Sequence, residues 1–316
     1  MRVQKEFVIY KGVLSKYNGP GGEVELPSGV TKIGKRAFYG CEPIQKVILP
    51  EGVTEIRECA FLHQKSLAEV IIPEGLEQIG HGAFYGCTSL KRINLPESLT
   101  RISDGVFERC TGLEEISLPG GLRVVSETAF WGCTSLKAVT MGEGVEKLCT
   151  RAFERCGALQ EVTLPESLTK LGYNTFLCCE SLSRVTVPGS LSKVDGSVFA
   201  GCASPVLRAP RTPVNAFAKQ DRAGAATGFA ELRQEGVTLN EDIEKSYLRY
   251  IKASKSELLP KAIEHPSLLR LLLREKLISP NDDQFLQEEA ERQGNTAAKA
   301  ILQERIKKSV KTEERQ

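Results

Sequence analysis

The chain has 316 residues, 41% of them hydrophobic and 26% charged, with a formal net charge of +2. That composition suits one or two folded domains and excludes a collagen-like or wholly disordered chain. No apolar run reaches the roughly 18 residues of a transmembrane helix. The charge is spread as one net positive before Leu26, one net negative from Leu26 to Ala209 and two net positive beyond it. No segment therefore carries the field that steers a polyanion, which excludes nucleic acid as a partner.

Residues 1–25 hold Phe7, Val8, Ile9, Tyr10, Val13, Leu14 and Tyr17, followed by Asn18-Gly19-Pro20-Gly21-Gly22. This reads as a β-hairpin, or short strands and a turn, forming an N-terminal β cap. Met1 to Tyr10 contains Arg2 and Lys5 but no apolar run of the kind a signal peptide needs. A cytoplasmic location is predicted, with an extracellular or cell-surface location as the alternative if the N-terminus is processed.

From Leu26 to Ala209 the chain repeats itself. Eight Phe residues, at 38, 61, 84, 107, 130, 153, 176 and 199, recur every 23 residues. A fixed period of this size marks a solenoid in which each rung packs only on its neighbours. The repeats begin at Leu26, Leu49, Ile72, Leu95, Leu118, Met141, Leu164 and Val187. Within one rung, Leu95, Leu99, Ile102, Val106, Phe107, Leu113 and Ile116 are predicted to point inward. The alternation over Leu90–Pro96 predicts a short strand that Pro ends. Pro follows the first residue of every repeat except the sixth, where Gly142 stands.

Cysteines 41, 87, 110, 133, 156, 179 and 202 share one repeat position, with Gln64 in their place on the second rung. Strands about 4.7 to 4.9 Å apart place adjacent Cβ atoms beyond the roughly 3.5 to 4.5 Å of a disulfide, so these read as buried free thiols. Free thiols in such number fit a reducing compartment.

The repeat pattern fails after Cys202. Residues 210–239 are predicted to be a closing cap and connector, and residues 240–316 a small all-α module. Asn240 is placed to cap a helix carrying Ile243, Tyr247, Tyr250 and Ile251 on one face, while Pro260 and Pro266 are predicted to break the following stretch into helical pieces. Ser279-Pro280 opens a helix that Gly294 closes, and Asn295 or Thr296 opens another running to about Lys308. The tail from Lys307 to Gln316 is predicted to fray.

Chemistry-bearing motifs are absent. The three His residues, at 63, 81 and 265, share no motif, and there is no G-x-S-x-G, Walker-type loop or H-E-x-x-H. No catalytic residue, cofactor or metal is predicted.

The recurring pattern Leu-Pro-x-x-Leu-x-x-Ile-x-x-x-Ala-Phe-x-x-Cys-x-x-Leu-x-x-Ile-x resembles the BspA-type bacterial leucine-rich repeat family. The resemblance implies an α/β repeat fold: a right-handed leucine-rich-repeat solenoid with a parallel sheet on its concave side, acting through protein or surface contacts. Many such proteins are secreted. Where ordinary leucine-rich repeats carry Asn after the strand, this chain has Gly29, Gly52, Gly75, Ser98, Gly121, Gly144, Ser167 and Ser190. The phrase Gln293 to Leu302 resembles the second half of an ankyrin-type helical hairpin.

Two surfaces are candidates for a partner. The strand face offers Arg92, Asn94, Glu115, Ser117, Thr140, Glu161, Thr163 and Arg184, whose charges and hydroxyls could equally satisfy one another across rungs. The position after each Phe offers Tyr85 and Trp131, which could anchor an interface or simply shield the Phe layer. The predicted function is a non-catalytic scaffold for an unidentified protein partner, with a monomer as the simplest state and no membrane span. An exported adhesin that binds host protein or glycan is the alternative.

Overall fold

The structure is a computed structural model describing residues 6–313. The chain divides into two compact units, Met1–Pro205 and Val206–Gln316. The first is the solenoid with its N-terminal hairpin.

The hairpin joins β1 (Phe7–Tyr10) to β2 (Val13–Tyr17) in antiparallel pairing. β2 then pairs in parallel with Lys32–Ile33. From there a ladder of two-residue strands runs through Glu55–Ile56, Gln78–Ile79, Arg101–Ile102, Val124–Val125, Lys147–Leu148 and Lys170–Leu171, making a nine-stranded sheet with the hairpin. Each step advances 23 residues, so Ile33 lies beside Ile56 and Ile56 beside Ile79. The alternation in the sequence points to one strand per rung, yet the first seven rungs each contribute a two-residue strand to this second ladder. Two-residue strands are too short to leave an alternating pattern.

The predicted strand face also forms, but in sections. Gly22–Glu25, Ile44–Ile48 and Glu69–Ile71 pair in parallel, then Glu115–Leu118 with Ala138–Met141, and Glu161–Thr163 with Arg184–Thr186. Residues 22–25, read as part of the cap, are thus already a rung. The strand predicted over Leu90–Pro96 does not form. Leu90, Ile93 and Leu99 are still buried there, so alternation reports burial correctly on a rung that packing holds without a ladder.

The core is a file of aromatic rings. Consecutive Phe rings from Phe38 to Phe199 lie 4.6 to 5.9 Å apart, tilted by no more than 14°. Tyr17 caps the file 5.5 Å from Phe38, and Phe7 lies 5.3 Å beyond it. The Tyr17 amide donates to the Ala37 carbonyl just as the Phe38 amide donates to Ala60, so the hairpin supplies the zeroth rung. Burial raises the Tyr17 phenol to about 12, helped by its bond to Glu6.

Each Phe from Phe38 to Phe176 is flanked by left-handed backbone two residues before and two after it. On the fourth and fifth rungs these positions are Gly105 and Arg109, then Thr128 and Gly132, all with φ between 51° and 70°. The turn after each strand closes through an amide three residues on, and the sixth rung closes in the same way, Val145 donating to Gly142 at 3.1 Å. Gly142 stands where the others have Pro because its Cβ would come within 2.7 Å of Gly120. On the rungs where serine stands at the Asn position it ties the turn to the preceding rung: Ser98 donates to Leu76 and Ser167 to Val145, each at 2.7 Å.

In the second unit a strand, Val206–Arg208, packs against α1 (Arg222–Gln234). Gly228 permits the approach, since a Cβ there would lie 2.1 Å from the Leu207 carbonyl. The segment read as cap and connector therefore contains a helix of 13 residues. Phe229 of α1 stacks on Tyr247 of α2 (Glu241–Ala253) at 4.7 Å. Asn240 caps α2, accepting from the Asp242 amide at 2.9 Å.

Helices α3 (Lys255–Glu264), α4 (Pro266–Arg274), α5 (Pro280–Arg292) and α6 (Thr296–Glu313) follow. Pro266 opens α4 as predicted, but Pro260 lies inside α3. The buried Leu258, Leu259, Ala262 and Ile263 offset the one backbone bond that Pro removes. Ser279 and Asp282 form a capping box on α5. Asn295 rather than Thr296 caps α6, accepting from Ala298 at 3.0 Å and donating to Ile263 at 2.7 Å. α6 continues to Glu313, past its predicted end near Lys308 and through most of the tail predicted to fray. The α3–α4 and α5–α6 pairs pack on each other. Leu258 and Ala262 of the first pair and Leu286 and Ala290 of the second are all fully buried.

Candidate functional site

The strand face is built by register. Lys46 faces Glu69, Glu115 faces Ala138 and Glu161 faces Arg184, while Ser117 faces Thr140 and Thr163 faces Thr186. The predicted residues of this face therefore stand in two parallel columns. In the first, charge is partly spent within the chain: Arg92 pairs with Glu115 at 3.0 Å and Lys46 with Glu69 at 2.9 Å. Both Arg92 and Glu115 remain exposed, so these pairs are weak and exchangeable.

The second column is different. Asn94, Ser117, Thr140 and Thr163 are exposed, and among the described residues none of their side chains hydrogen-bonds to the chain. Cross-rung bonding of these hydroxyls, one of the two readings of the sequence, is not what the geometry shows. At the head of the column Ile71 is 42% exposed and Ile48 half-buried.

Tyr85 and Trp131 do not join that surface. They sit on the Phe turn of their rungs, and both are half-buried. His63 packs edge-on against Tyr85 at 5.2 Å. Trp131 is held between the guanidinium groups of Arg109 and Arg155, at 5.2 and 5.6 Å, and Arg155 also faces the buried Glu154 carboxylate at 3.8 Å. Each aromatic is thus covered by a residue of the preceding rung, two places after its Phe. Such cation–π contacts occupy the ring faces that an incoming partner would use.

The cysteine file is buried as predicted, with Cys87, Cys110, Cys133, Cys156 and Cys179 fully enclosed and all ten cysteines free. Its role was not legible in the sequence. From Cys87 to Cys202 each thiol of the file donates to the carbonyl of the Phe one rung earlier, for example Cys110 to Phe84 at 3.1 Å and Cys133 to Phe107 at 3.2 Å, while Cys41 donates to Phe38 of its own rung at 3.0 Å. Burial pushes the thiols of Cys87, Cys133 and Cys156 well up, and that of Cys110 to about 12. These sulfurs are structural acceptor-fillers rather than nucleophiles.

Two shallow grooves lie along the two-residue ladder. One of roughly 480 Å³ is lined by residues that include Lys35, Glu55, Arg57, Glu58 and Arg101. The other, of roughly 390 Å³, is lined by residues that include Lys147, Cys149, Lys170, Gly172, Tyr173 and Lys193. Neither includes any of the residues predicted from the sequence. Among the described residues no cluster of three potential metal ligands occurs, and no helix is long and apolar enough to cross a membrane.

Comparison with known proteins follows the repeat. A profile of the BspA-type leucine-rich repeat region, in six copies, matches residues 17–137 and 100–212. The fold is similar to that of a leucine-rich cell surface protein from Faecalibacterium prausnitzii, at 24% identity over 67% of this chain and 74% of that one, with a TM-score of 0.55. Leucine-rich repeat proteins of Bacteroides ovatus (27% identity, 60% of this chain and 65% of that one, TM-score 0.46) and T. pallidum (25%, 75% and 86%, 0.40) are also similar. No curated protein matches. The profile begins at Tyr17, where the aromatic file begins, and runs past Phe199, where it ends; the chain belongs to the BspA-type leucine-rich repeat family.

Proposed function

We propose that the chain is a non-catalytic scaffold whose strand face receives a polypeptide partner. The observation that carries this reading is the column Asn94, Ser117, Thr140 and Thr163: exposed polar side chains, held in line by the ladder, with their hydrogen-bonding capacity unspent within the chain. A surface pre-ordered by its core loses little conformational entropy on binding, which favours affinity. The neighbouring Arg92, Glu115, Glu161 and Arg184 supply mixed charge that selects among partners more than it binds them. Tyr85 and Trp131 act in this reading as shields of the Phe turn. The buried thiols support a cytoplasmic location, since many free cysteines suit a reducing compartment.

A photo-crosslinking residue at Thr140, compared with one at the exposed Thr134 of a turn, tests the reading in extract of the protein's own cells. Crosslinking of a defined polypeptide from Thr140 alone is the expected result. Equal labelling from both positions, or labelling from Thr134 only, would remove the strand face from the account.

A further inference from the structure

The surface charges of the solenoid follow a rule. Lys32–Glu55, Lys35–Glu58, Lys46–Glu69, Arg92–Glu115, Glu114–Lys137 and Arg123–Glu146 are all ion pairs between positions 23 residues apart on adjacent rungs. Within the solenoid, residues 26–209, only Lys147, Lys170 and Lys193 are cations that follow one another at that spacing. Lys147 and Lys170 are register partners on the two-residue ladder, and the same ladder position nearer the N-terminus holds the satisfied pair Lys32 and Glu55. Like charges directly opposite on a ladder destabilise it. Among the described residues none of the three lysines makes an ion pair within 4 Å, although Lys147 meets the Cys149 side chain and Lys193 lies in the field of Asp195.

A local rule broken along a column, with no carboxylate paired to any of its members, is where function is expected. The three lysines line the groove of roughly 390 Å³, whose floor is kept low by Gly172: a Cβ there would fall 2.4 Å from the Thr150 amide nitrogen. Tyr173, 65% exposed, stands at its edge. The acids on the rim are Glu127 and Asp195, and Asp195 is occupied by the Ser197 amide at 2.9 Å.

We propose that this column is a docking strip for an acidic segment of a partner polypeptide. The inference rests on the scaffold reading but not on the strand face, which is a separate column of the same rungs. Three lysines on neighbouring rungs span about 10 Å, a length that their long side chains match to the alternate carboxylates of a five-residue extended segment, about 13 Å at about 3.3 Å per step. Carboxylates at the ends and middle of such a segment meet one ammonium per rung, while its neutral residues pass Glu127 and Asp195. A nucleic acid strand, charged at every unit, would set phosphates against those two acids.

The test is fluorescence anisotropy of a labelled peptide of alternating Glu and Ser with the full chain at low salt. Lys170→Glu is expected to weaken binding about tenfold or more, as loss of a charge pair in an interface does, and Lys170→Arg to preserve it. Arg92→Glu on the strand face is expected to leave binding unchanged, and added salt to weaken it in the wild type. Thermal melting of Lys170→Glu is expected to hold or rise, because the substitution restores alternation along the column. Binding unaffected by Lys170→Glu, binding lost in Arg92→Glu alone, or capture of a single-stranded oligonucleotide in preference to the peptide would each overturn the proposal. Lost peptide binding together with intact crosslinking from Thr140 would sink this strip and leave the scaffold reading standing.

Discussion

The Gln64 side-chain amide donates to the backbone carbonyl of Phe38 at 2.7 Å, the service that the Cys87 thiol performs for Phe61 at 3.2 Å. The one rung without a cysteine therefore keeps the bond through a different donor. Gln64 also accepts from the Ile44 amide at 3.4 Å. Gln64→Cys is expected to be nearly neutral, whereas Gln64→Leu leaves the Phe38 carbonyl only the Cys41 thiol at 3.0 Å and removes the acceptor of the Ile44 amide, and should cost about 1 to 3 kcal/mol. Urea unfolding of both variants measures the difference; equal losses would show that the bond contributes nothing.

Phe107 lies between Phe84 at 5.4 Å and Phe130 at 5.3 Å and has no exposed surface. Phe107→Ala opens a cavity mid-file and is expected to lower stability by about 3 to 5 kcal/mol. Because each rung contacts only its neighbours, the loss should appear as a broadened or split unfolding transition rather than a simple shift.

Thr128 holds a φ of 51°, a conformation that crowds a β-branched side chain. Thr128→Gly is expected to stabilise the solenoid by about 1 kcal/mol, the order of the left-handed penalty it removes. A matched substitution at Ser135, on a turn outside the left-handed positions, gives the comparison.

The thiols report on pH and unfolding together. An unfolded cysteine ionises near about 8.5, whereas burial holds Cys110 at about 12. The folded pKa is the higher one, so the thiol's contribution to stability is intact below about pH 8.5 and fades as pH rises toward 12. Labelling at neutral pH should find Cys87, Cys110, Cys133, Cys156 and Cys179 unreactive until denaturant is added. Fast modification of those five in the native protein would contradict the burial.

In the helical unit Asp282 closes the α5 cap and accepts from Lys255 at 2.6 Å. Burial pushes its carboxyl up, but the bonds from Lys255 and Ser279 outweigh that and bring it to about 2. Its stabilisation is present above the ordinary carboxylate range and is lost as pH falls through about 2. Asp282→Asn is expected to cost about 1 kcal/mol at neutral pH, as cap losses do, and to flatten the acid limb of the melting curve.

Much of the solenoid was legible because its determinants recur: the Phe spacing gave the period, and the inward residues follow from it. What escaped was whatever carries no pattern of its own. The two-residue strands are shorter than any alternation, and the thiol–carbonyl bonds join groups 26 residues apart. Leu90–Pro96 misled because packing and ladder formation leave the same trace in sequence. The Lys147, Lys170 and Lys193 column was readable by comparing charges at the 23-residue period, but regional net charge averages it away. Pro260 read as a break, since a propensity argument has no knowledge of the four buried neighbours that hold α3.

All of these surfaces depend on rungs that hold a single register from Tyr17 to Phe199. Amide hydrogen exchange resolved to single residues tests that most directly, because the amides of Tyr17, Phe38, Phe61, Phe84, Phe107, Phe130, Phe153 and Phe176 each donate to the following rung. The structure predicts slow exchange at all eight, as one protected file. Fast exchange at interior members such as Phe107, matching that of exposed turn amides, would contradict it.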